Sequence, residues 1–217
     1  MSAFAQSAVD FDAKMREYKL VDIQTMEGAE DIIVELKYST TDNFVGKDMY
    51  RNLEKAYLTP DFDHSAQNVI WKDSKTLYFL SAIEGTQQVC KVGVDNAQVE
   101  VITSGDHDIA SMSIAGDKCL TTLMTISRDK ELYEVNLADG ALTQLSNINS
   151  HVYDNVKMGK VEKRMVKTTD GKEMLTWVIL PPDFDPTKKY PTLLYCEGGP
   201  QSVVSQGWSY RWNFQLM

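Results

Sequence analysis

Two copies of one pattern lie 43 residues apart between residues 64 and 150, and this repeat limits the fold more than any other feature. Matching positions in the two copies carry apolar residues: Leu77, Leu80, Val89, Val92 and Val94 correspond to Leu120, Leu123, Leu132, Val135 and Leu137. A unit of this length is typical of one four-stranded propeller blade. We therefore predict two blades, which is fewer than the number that closes a propeller.

Short strands with tight turns are expected inside each copy and again after it. Each copy places two alternating strands around a turn, at Asp95 and Asn96 in the first and at Asp139 and Gly140 in the second. The later pattern predicts strands over residues 161–166 and 174–180, joined by a turn at 168–171, and a short buried strand over 190–196. Before residue 59 it predicts helical residues over 10–20, a strand over 32–38 and the beginning of a helix over 52–58.

Charge and hydropathy exclude two classes of partner. Acidic residues outnumber basic ones by 31 to 22, and the net charge of -9 would repel nucleic-acid phosphates and anionic lipid surfaces. The longest strongly apolar stretches, such as Leu175–Leu180, are far shorter than the roughly 20 residues of a membrane-spanning helix. We expect no nucleic-acid partner and no membrane partner.

Cysteine and histidine spacing gives no sign of a cofactor. Cys90, Cys119 and Cys196 are an odd number without metal-ligand spacing, which predicts buried free thiols. His64, His107 and His151 lie 43 and 44 residues apart, and that spacing is unlike a zinc motif. We expect no metal and no other cofactor.

Two pairs of carboxylates are candidates for acid-base chemistry. Asp61 with Asp63, and Asp106 with Asp108, are each two residues apart, which places both members of a pair on one face of a strand. Aspartates are also common in solvated loops and turns. We interpret both pairs as solvated loop residues without a chemical role.

The first six residues are similar to the end of a signal peptide. Ala3, Phe4 and Ala5 have the small-x-small form of a cleavage site, although small residues can match this form by coincidence. On the first interpretation we expect a secreted or periplasmic protein.

Several segments carry a resemblance to a known family. They are Asp61–Ala66 with Trp71, Leu77–Ser81, Trp177–Asp185 and, with the highest specificity, Lys189–Pro200. These segments resemble the prolyl oligopeptidase family, and most closely its dipeptidyl-peptidase-like bacterial members. The resemblance implies a mainly β fold, in which partial β-propeller blades are followed by the first strands of an α/β-hydrolase domain. We predict an N-terminal segment with a short α/β character over residues 1–59, the last blades over 60–157 and the start of the hydrolase domain over 158–217.

The resemblance implies a serine, an aspartate and a histidine as catalytic residues, with the serine in a Gly-x-Ser-x-Gly turn between a strand and a helix. The sequence contains no such motif. The run Gly207-Trp-Ser209-Tyr-Arg211 comes near it, but Arg211 is too bulky for the close helix packing. The run also begins only seven residues after Pro200, too soon for the strands that should intervene. We therefore expect Ser209 to be an ordinary helix or loop residue, and the chain to contain no catalytic residue.

The loop Glu197, Gly198, Gly199 and Pro200 is the candidate oxyanion loop by this resemblance. Members of the family offer a tyrosine hydroxyl at the position of Glu197, and an ionised glutamate cannot donate in its place. Backbone amides near Gly198 and Gly199 remain as donors. The alternative is that the glycines only allow a sharp turn after a buried strand.

Residues 10–58 carry a second resemblance, centred on Val34–Gly46. This part is similar to the opening of the D-alanyl-D-alanine dipeptidases, which are zinc enzymes. Their ligands, two histidines and an aspartate, lie downstream, where this sequence has already changed character, so we expect no bound zinc. The chain is interpreted as two peptidase fragments joined near residues 57–61.

Three functions follow from these resemblances. The first is a segment of a serine peptidase whose full-length relatives act on short peptides, inactive by itself. The alternatives are a zinc-dependent D-alanyl-D-alanine dipeptidase fragment and a non-catalytic propeller module that binds other proteins. Incomplete apolar cores also predict self-association through exposed strand edges.

Overall fold

The computed structural model describes residues 19–25, 33–39, 53–198 and 202–217, with the strand backbone alone before residue 58. The chain forms two compact units, residues 1–81 with 89–102, and residues 82–88 with 103–217. The predicted boundaries at residues 59 and 157 stay predictions.

The first unit begins with an antiparallel three-stranded sheet. Its strands are β1 (Lys19–Thr25), β2 (Ile33–Ser39) and β3 (Leu53–Tyr57), with β2 in the centre. The strand predicted over 32–38 is confirmed. The helix predicted to begin at 52–58 is wrong, because β3 pairs with β2 along its whole length and this ladder overrides the local helical preference. Residues 10–18 of the predicted N-terminal helical stretch lie outside the described residues, and residues 19 and 20 belong to β1.

The first blade is formed by β4 (Gln67–Asp73), β5 (Thr76–Ile83), β6 (Thr86–Gly93) and β7 (Val99–Val101), and residues 82–88 of β5, β6 and the turn between them belong to the second unit. Five consecutive residues of β5 are buried, so both faces of this strand are covered. Leu77, Phe79 and Val89 are fully buried, and each such side chain contributes about 1.5–3 kcal/mol. Phe62 packs edge-on against Phe79 with ring centroids 5.7 Å apart.

The second unit contains the second blade, formed by β8 (Asp108–Ala115), β9 (Lys118–Thr125), β10 (Arg128–Val135) and β11 (Leu142–Gln144) in antiparallel order. The outer strands β7 and β11 begin 43 residues apart, at Val99 and Leu142, which confirms the repeat. Turns precede both outer strands, as the sequence predicted. Along β9 and β10, buried residues alternate with more exposed ones, so each strand has one covered face.

A short helix and a hairpin follow in the second unit. Helix α1 spans Ser150–Tyr153, and strands β12 (Val161–Lys167) and β13 (Glu173–Ile179) pair in register from Val161 with Ile179 to Lys167 with Glu173. Gly171 closes the hairpin turn with a φ of +86°, a conformation that favours glycine. The predicted strand, turn and strand are confirmed. No helix within the described residues has the length and apolar character needed to cross a bilayer.

The described residues after β13 form no helix and no strand. The buried strand predicted over 190–196 is therefore wrong. Leu193 and Leu194 are 74% and 84% exposed, and Pro191 has no backbone N–H for a ladder. An apolar run becomes a strand only where a neighbouring strand pairs with it, and the described residues provide none here. The described part of the chain is mainly β, and its strands after β3 form partial propeller blades followed by the hairpin.

Candidate functional site

The predicted oxyanion loop lies on the surface in its described part. Glu197 and Gly198 are exposed, and Gly199 and Pro200 lie outside the described residues. The Ser202 hydroxyl donates a hydrogen bond of 2.8 Å to the Gly198 carbonyl oxygen. A Cβ atom added to Gly198 would meet nothing within 4 Å, so close packing does not require glycine at this position.

An oxyanion hole works because its donors are fixed and shielded from water before charge develops. Glu197 and Gly198 are instead surrounded by solvent, where hydrogen bonds to an anion are weak. In this structure, Glu197 and Gly198 therefore do not form an anion-binding site.

Ser209 has the surroundings of a turn residue. Its hydroxyl oxygen accepts hydrogen bonds from the backbone N–H groups of Arg211 at 3.2 Å and Trp212 at 2.9 Å. Neither a strand nor a helix flanks it, and its φ is not positive, so the strained strand-to-helix turn of a catalytic serine is not formed. Ser209 thus lies in a loop, one of the two settings predicted for it.

The three histidines occupy unrelated environments. His64 is exposed and its ring lies 5.2 Å from that of Phe62. His107 is buried, and burial lowers the pKa of its imidazole while the nearby Asp106 opposes this shift. His151 lies in α1, with Nδ1 3.0 Å from the carbonyl oxygen of Ile148. Within the described part of the chain, none of them is hydrogen bonded to Ser209.

Asp108, at the beginning of β8, is a buried carboxylate that the sequence interpretation missed. It is only 4% exposed, so the interpretation of Asp106 and Asp108 as a solvated pair is wrong for Asp108. One carboxylate oxygen accepts the backbone N–H groups of Gln87 at 2.9 Å and Gln206 at 3.2 Å, and the other accepts the Ser205 hydroxyl at 2.6 Å. Burial raises the pKa of Asp108, although these three hydrogen bonds act in the opposite direction.

The repeat contains a signal that could have indicated Asp108. The position 43 residues earlier is Ser65, so the second copy replaces a small neutral residue by an acid at the beginning of a blade strand. Spacing between carboxylates cannot show this difference, whereas alignment of the two copies can.

Glu131, in β10, is a second buried carboxylate with several donors. It accepts hydrogen bonds from the hydroxyl of Ser146, from the backbone N–H groups of Ile148 at 3.0 Å and Asn149 at 2.9 Å, and from the Asn149 side chain at 3.1 Å. Burial alone would raise the pKa of Glu131, but these hydrogen bonds hold it below its usual value. Glu131 therefore orders the connection between β11 and α1.

A cavity of about 360 Å³ lies beside β12 and the two prolines that follow β13. Lys160 and Arg164 on its lining both pair with Glu162, and Asp183 pairs with Lys157. All four charged side chains on the lining, Lys160, Glu162, Arg164 and Asp183, are thus already in ion pairs. No group of three or more His, Cys, Asp or Glu side chains in the described part of the chain is arranged to hold a metal ion.

The cysteines agree only in part with the sequence prediction. Cys90 and Cys119 are buried free thiols, as predicted, whereas the free thiol of Cys196 is exposed. The prediction of a buried thiol at Cys196 is wrong because the segment that contains it does not pair as a strand.

Comparison with known proteins identifies curated relatives of this chain. The chain is 41% identical over 165 residues to dipeptidyl-peptidase 5 of Porphyromonas gingivalis, an alignment that covers 76% of this chain and 24% of that protein. It is 35% identical over 142 residues to dipeptidyl-peptidase 5 of Porphyromonas endodontalis, which covers 65% of this chain and 20% of that protein. The matched part of the chain is therefore similar to dipeptidyl-peptidase 5, as the resemblance to dipeptidyl-peptidase-like members of the prolyl oligopeptidase family predicted. The chain spans about a quarter or less of the length of these curated relatives.

Comparison with solved structures supports the fold expected of a prolyl oligopeptidase family member. An acylaminoacyl peptidase, in complex with Z-Gly-Gly-Phe-chloromethyl ketone, matches 90% of this chain and 30% of its own with a TM-score of 0.64 and 21% identity. At this identity the likeness shows the fold alone. No protein-family model matches the chain.

Proposed function

We propose that this chain supplies the last propeller blades and the first hydrolase strands of a serine-type peptidase that acts on short peptides, and that it does not hydrolyse peptides by itself. Its curated relatives carry the name dipeptidyl-peptidase 5, and the acylaminoacyl peptidase that shares its fold was solved with a peptide-like chloromethyl ketone. These observations support a peptide as the substrate class of the whole enzyme.

One observation carries the proposal that the chain is inactive by itself. Acyl transfer by a serine needs a hydroxyl that is exposed on a strained turn and bonded to a general base. The hydroxyl oxygen of Ser209 instead accepts two backbone N–H groups within an irregular turn. No histidine of the described residues is bonded to it, so nothing there would remove its proton.

A covalent probe tests this proposal directly. The purified 217-residue chain is incubated with a fluorophosphonate probe and, separately, with a chromogenic dipeptidyl substrate, beside a Ser209→Ala variant. We expect no labelling of either protein and no turnover above the buffer rate. Labelling of the wild-type chain that disappears in the variant would refute the proposal, since it would identify Ser209 as a nucleophile.

We also propose that the protein is secreted or periplasmic, an expectation supported only by Ala3, Phe4 and Ala5. Fractionation of expressing cells, with detection of the chain in the periplasmic or extracellular fraction, tests this. Recovery from the cytoplasm alone would contradict it.

Exposed apolar residues favour a second candidate function, a non-catalytic module that binds other proteins or a second copy of this chain. Leu120 and Leu132 lie on the same face of the second blade, at 40% and 38% exposure. A blade normally covers such a face with a neighbouring blade. Self-association of the chain is therefore part of the proposal.

A further inference from the structure

We propose that Asp108 is a positioning residue. Its carboxylate anchors the segment that follows Glu197 and Gly198 to the second blade. The assignment of Glu197 and Gly198 to an oxyanion loop rests on the proposed function. The anchor itself rests on the contacts of Asp108 alone.

The anchor uses both oxygens of the carboxylate. The Gln87 and Gln206 N–H groups bond one oxygen, at 2.9 and 3.2 Å, and the Ser205 hydroxyl bonds the other at 2.6 Å. A charged acceptor gives stronger hydrogen bonds than a neutral one, and burial protects them from water. Asp108 thereby holds Ser205 and Gln206 against the beginning of β8.

The anchored segment depends on such bonds because it has no helix or strand of its own. Residues 202–217 are irregular throughout, so backbone ladders do not fix them. Gln206 makes a second bond to the blade, in which its side-chain oxygen accepts the Ile126 N–H at 3.3 Å. Ser202 lies three residues before Ser205 and donates to the Gly198 carbonyl oxygen at 2.8 Å. A shift of Ser205 therefore moves the residue that contacts Gly198.

The blade itself does not require an acid at this position. The residue 43 positions before Asp108 is Ser65, which lies two residues before β4, is exposed, and contributes its carbonyl oxygen to a 3.0 Å bond from the Ser81 hydroxyl. The first blade thus forms its four strands without a carboxylate there. Since Asp108 is not needed to build a blade, its three donors indicate a role in holding what lies against the blade.

Hydrogen exchange of the 217-residue chain, followed by mass spectrometry, tests the anchor. We compare the wild type with Asp108→Ala, Asp108→Asn and Ser205→Ala, and with Asp106→Ala as the exposed control two residues away. We expect Asp108→Ala to raise the exchange rate of residues 202–209 by about tenfold or more, because two of the three bonds lost are those that Ser205 and Gln206 donate to the charged acceptor. Ser205→Ala should raise it less, and Asp106→Ala should leave it unchanged.

The Asp108→Asn variant separates positioning from a general loss of packing. Its amide oxygen can accept both N–H groups, and its NH₂ group can donate to the Ser205 hydroxyl oxygen, so we expect exchange close to the wild type. Unchanged exchange of residues 202–209 in Asp108→Ala, with β9 and β10 still protected, would overturn the proposal. If Asp108→Ala unfolds the blade, an unchanged rate in Ser205→Ala would overturn it equally. Neither result depends on labelling by the fluorophosphonate probe. Failure of the anchor and failure of the proposed function are therefore distinguished by different experiments.

Discussion

The side-chain amide of Gln215 bonds both backbone groups of Gly159. Its oxygen accepts the Gly159 N–H at 2.7 Å, and its nitrogen donates to the Gly159 carbonyl oxygen at 3.0 Å and to the Ser127 hydroxyl at 2.7 Å. An amide that bonds both groups of one residue satisfies them as a neighbouring strand would. This contact ties residue 215 to the backbone just before β12.

We expect Gly159→Ala to destabilise the second unit. An added Cβ atom would lie 2.1 Å from the backbone carbonyl oxygen of Leu180, so the backbone at one of the two residues must move. Overpacking against backbone costs about 2 kcal/mol or more in the free energy of unfolding. Urea unfolding measures this, with Gly198→Ala as the control, since a Cβ atom there meets nothing within 4 Å. Equal stability of the two variants would show that Gly159 is not tightly packed.

We expect Glu131→Ala to loosen the connection between β11 and α1. The substitution leaves the N–H groups of Ile148 and Asn149 without their acceptor in a partly buried site. Loss of several hydrogen bonds to one charged group lowers the free energy of unfolding by about 2–4 kcal/mol. Thermal unfolding followed by circular dichroism provides the measurement.

Glu134 supplies the matched control on the same strand. Its partner is Lys118, whose side chain is 72% exposed, and an exposed ion pair contributes about 0–1 kcal/mol. Glu134→Ala should therefore change the free energy of unfolding much less than Glu131→Ala. A similar loss in the free energy of unfolding of both variants would mean that the hydrogen bonds to Glu131 contribute no more than an exposed ion pair.

The two buried carboxylates should give opposite pH dependences. Hydrogen bonds hold the pKa of Glu131 below its usual 4.5, so its stabilisation is present above pH 4.5 and is lost as the pH falls through the folded-state pKa. Burial raises the pKa of Asp108 above its usual 3.8, so ionisation of Asp108 reduces stability as the pH rises from 3.8 through the folded-state pKa.

Urea unfolding of Glu131→Gln and Asp108→Asn across acidic pH measures both effects. The stability of the wild type relative to Glu131→Gln should be greatest near neutral pH and shrink in acid. The stability of the wild type relative to Asp108→Asn should instead be greatest in acid and decline as the pH rises. Parallel curves for the two variants would contradict the opposite shifts.

Local patterns in the sequence predicted the elements that carry their own partners. The blades and the β12–β13 hairpin follow from alternation and turn residues, because each strand pairs with a neighbour close in sequence. The strand predicted over 190–196 depends on a partner that its own residues cannot supply. The helix predicted at 52–58 failed for the related reason that β2 pairs with those residues.

The candidate site was harder to predict because its contacts join residues that are distant in sequence. The Glu197 loop was located by resemblance, but its exposure was not foreseen. Asp108 contacts Ser205 and Gln206 almost a hundred residues later, and no spacing rule connects these positions. Burial of a charged side chain depends on such contacts, so composition and periodicity alone assigned Asp108 to solvent.

One fast-reacting thiol is expected among the three cysteines. Burial raises the pKa of Cys90 to about 12 and that of Cys119 to about 11, so neither forms much of the reactive thiolate in mild base. Cys196 is exposed and accessible to reagent. Titration with a chromogenic disulfide should therefore give one rapid equivalent in the folded chain and three after denaturation. Cys196→Ser should abolish the rapid phase, whereas a rapid phase that survives would place another cysteine at the surface.

The exposed face of the second blade should promote association of this chain with itself. Leu120 and Leu132 are diagonal neighbours on β9 and β10, because Leu132 pairs with Thr122 and Leu120 pairs with Glu134. Replacement of both leucines by serine removes apolar area while keeping the strands, so the weight-average mass in sedimentation equilibrium should fall toward 24.5 kDa. Lys172→Ser, in the exposed turn between β12 and β13, is the control and should associate as the wild type does. A wild-type chain that stays at the monomer mass over a wide concentration range would rule out association through this face, because the apolar area would then be too small to hold two copies together.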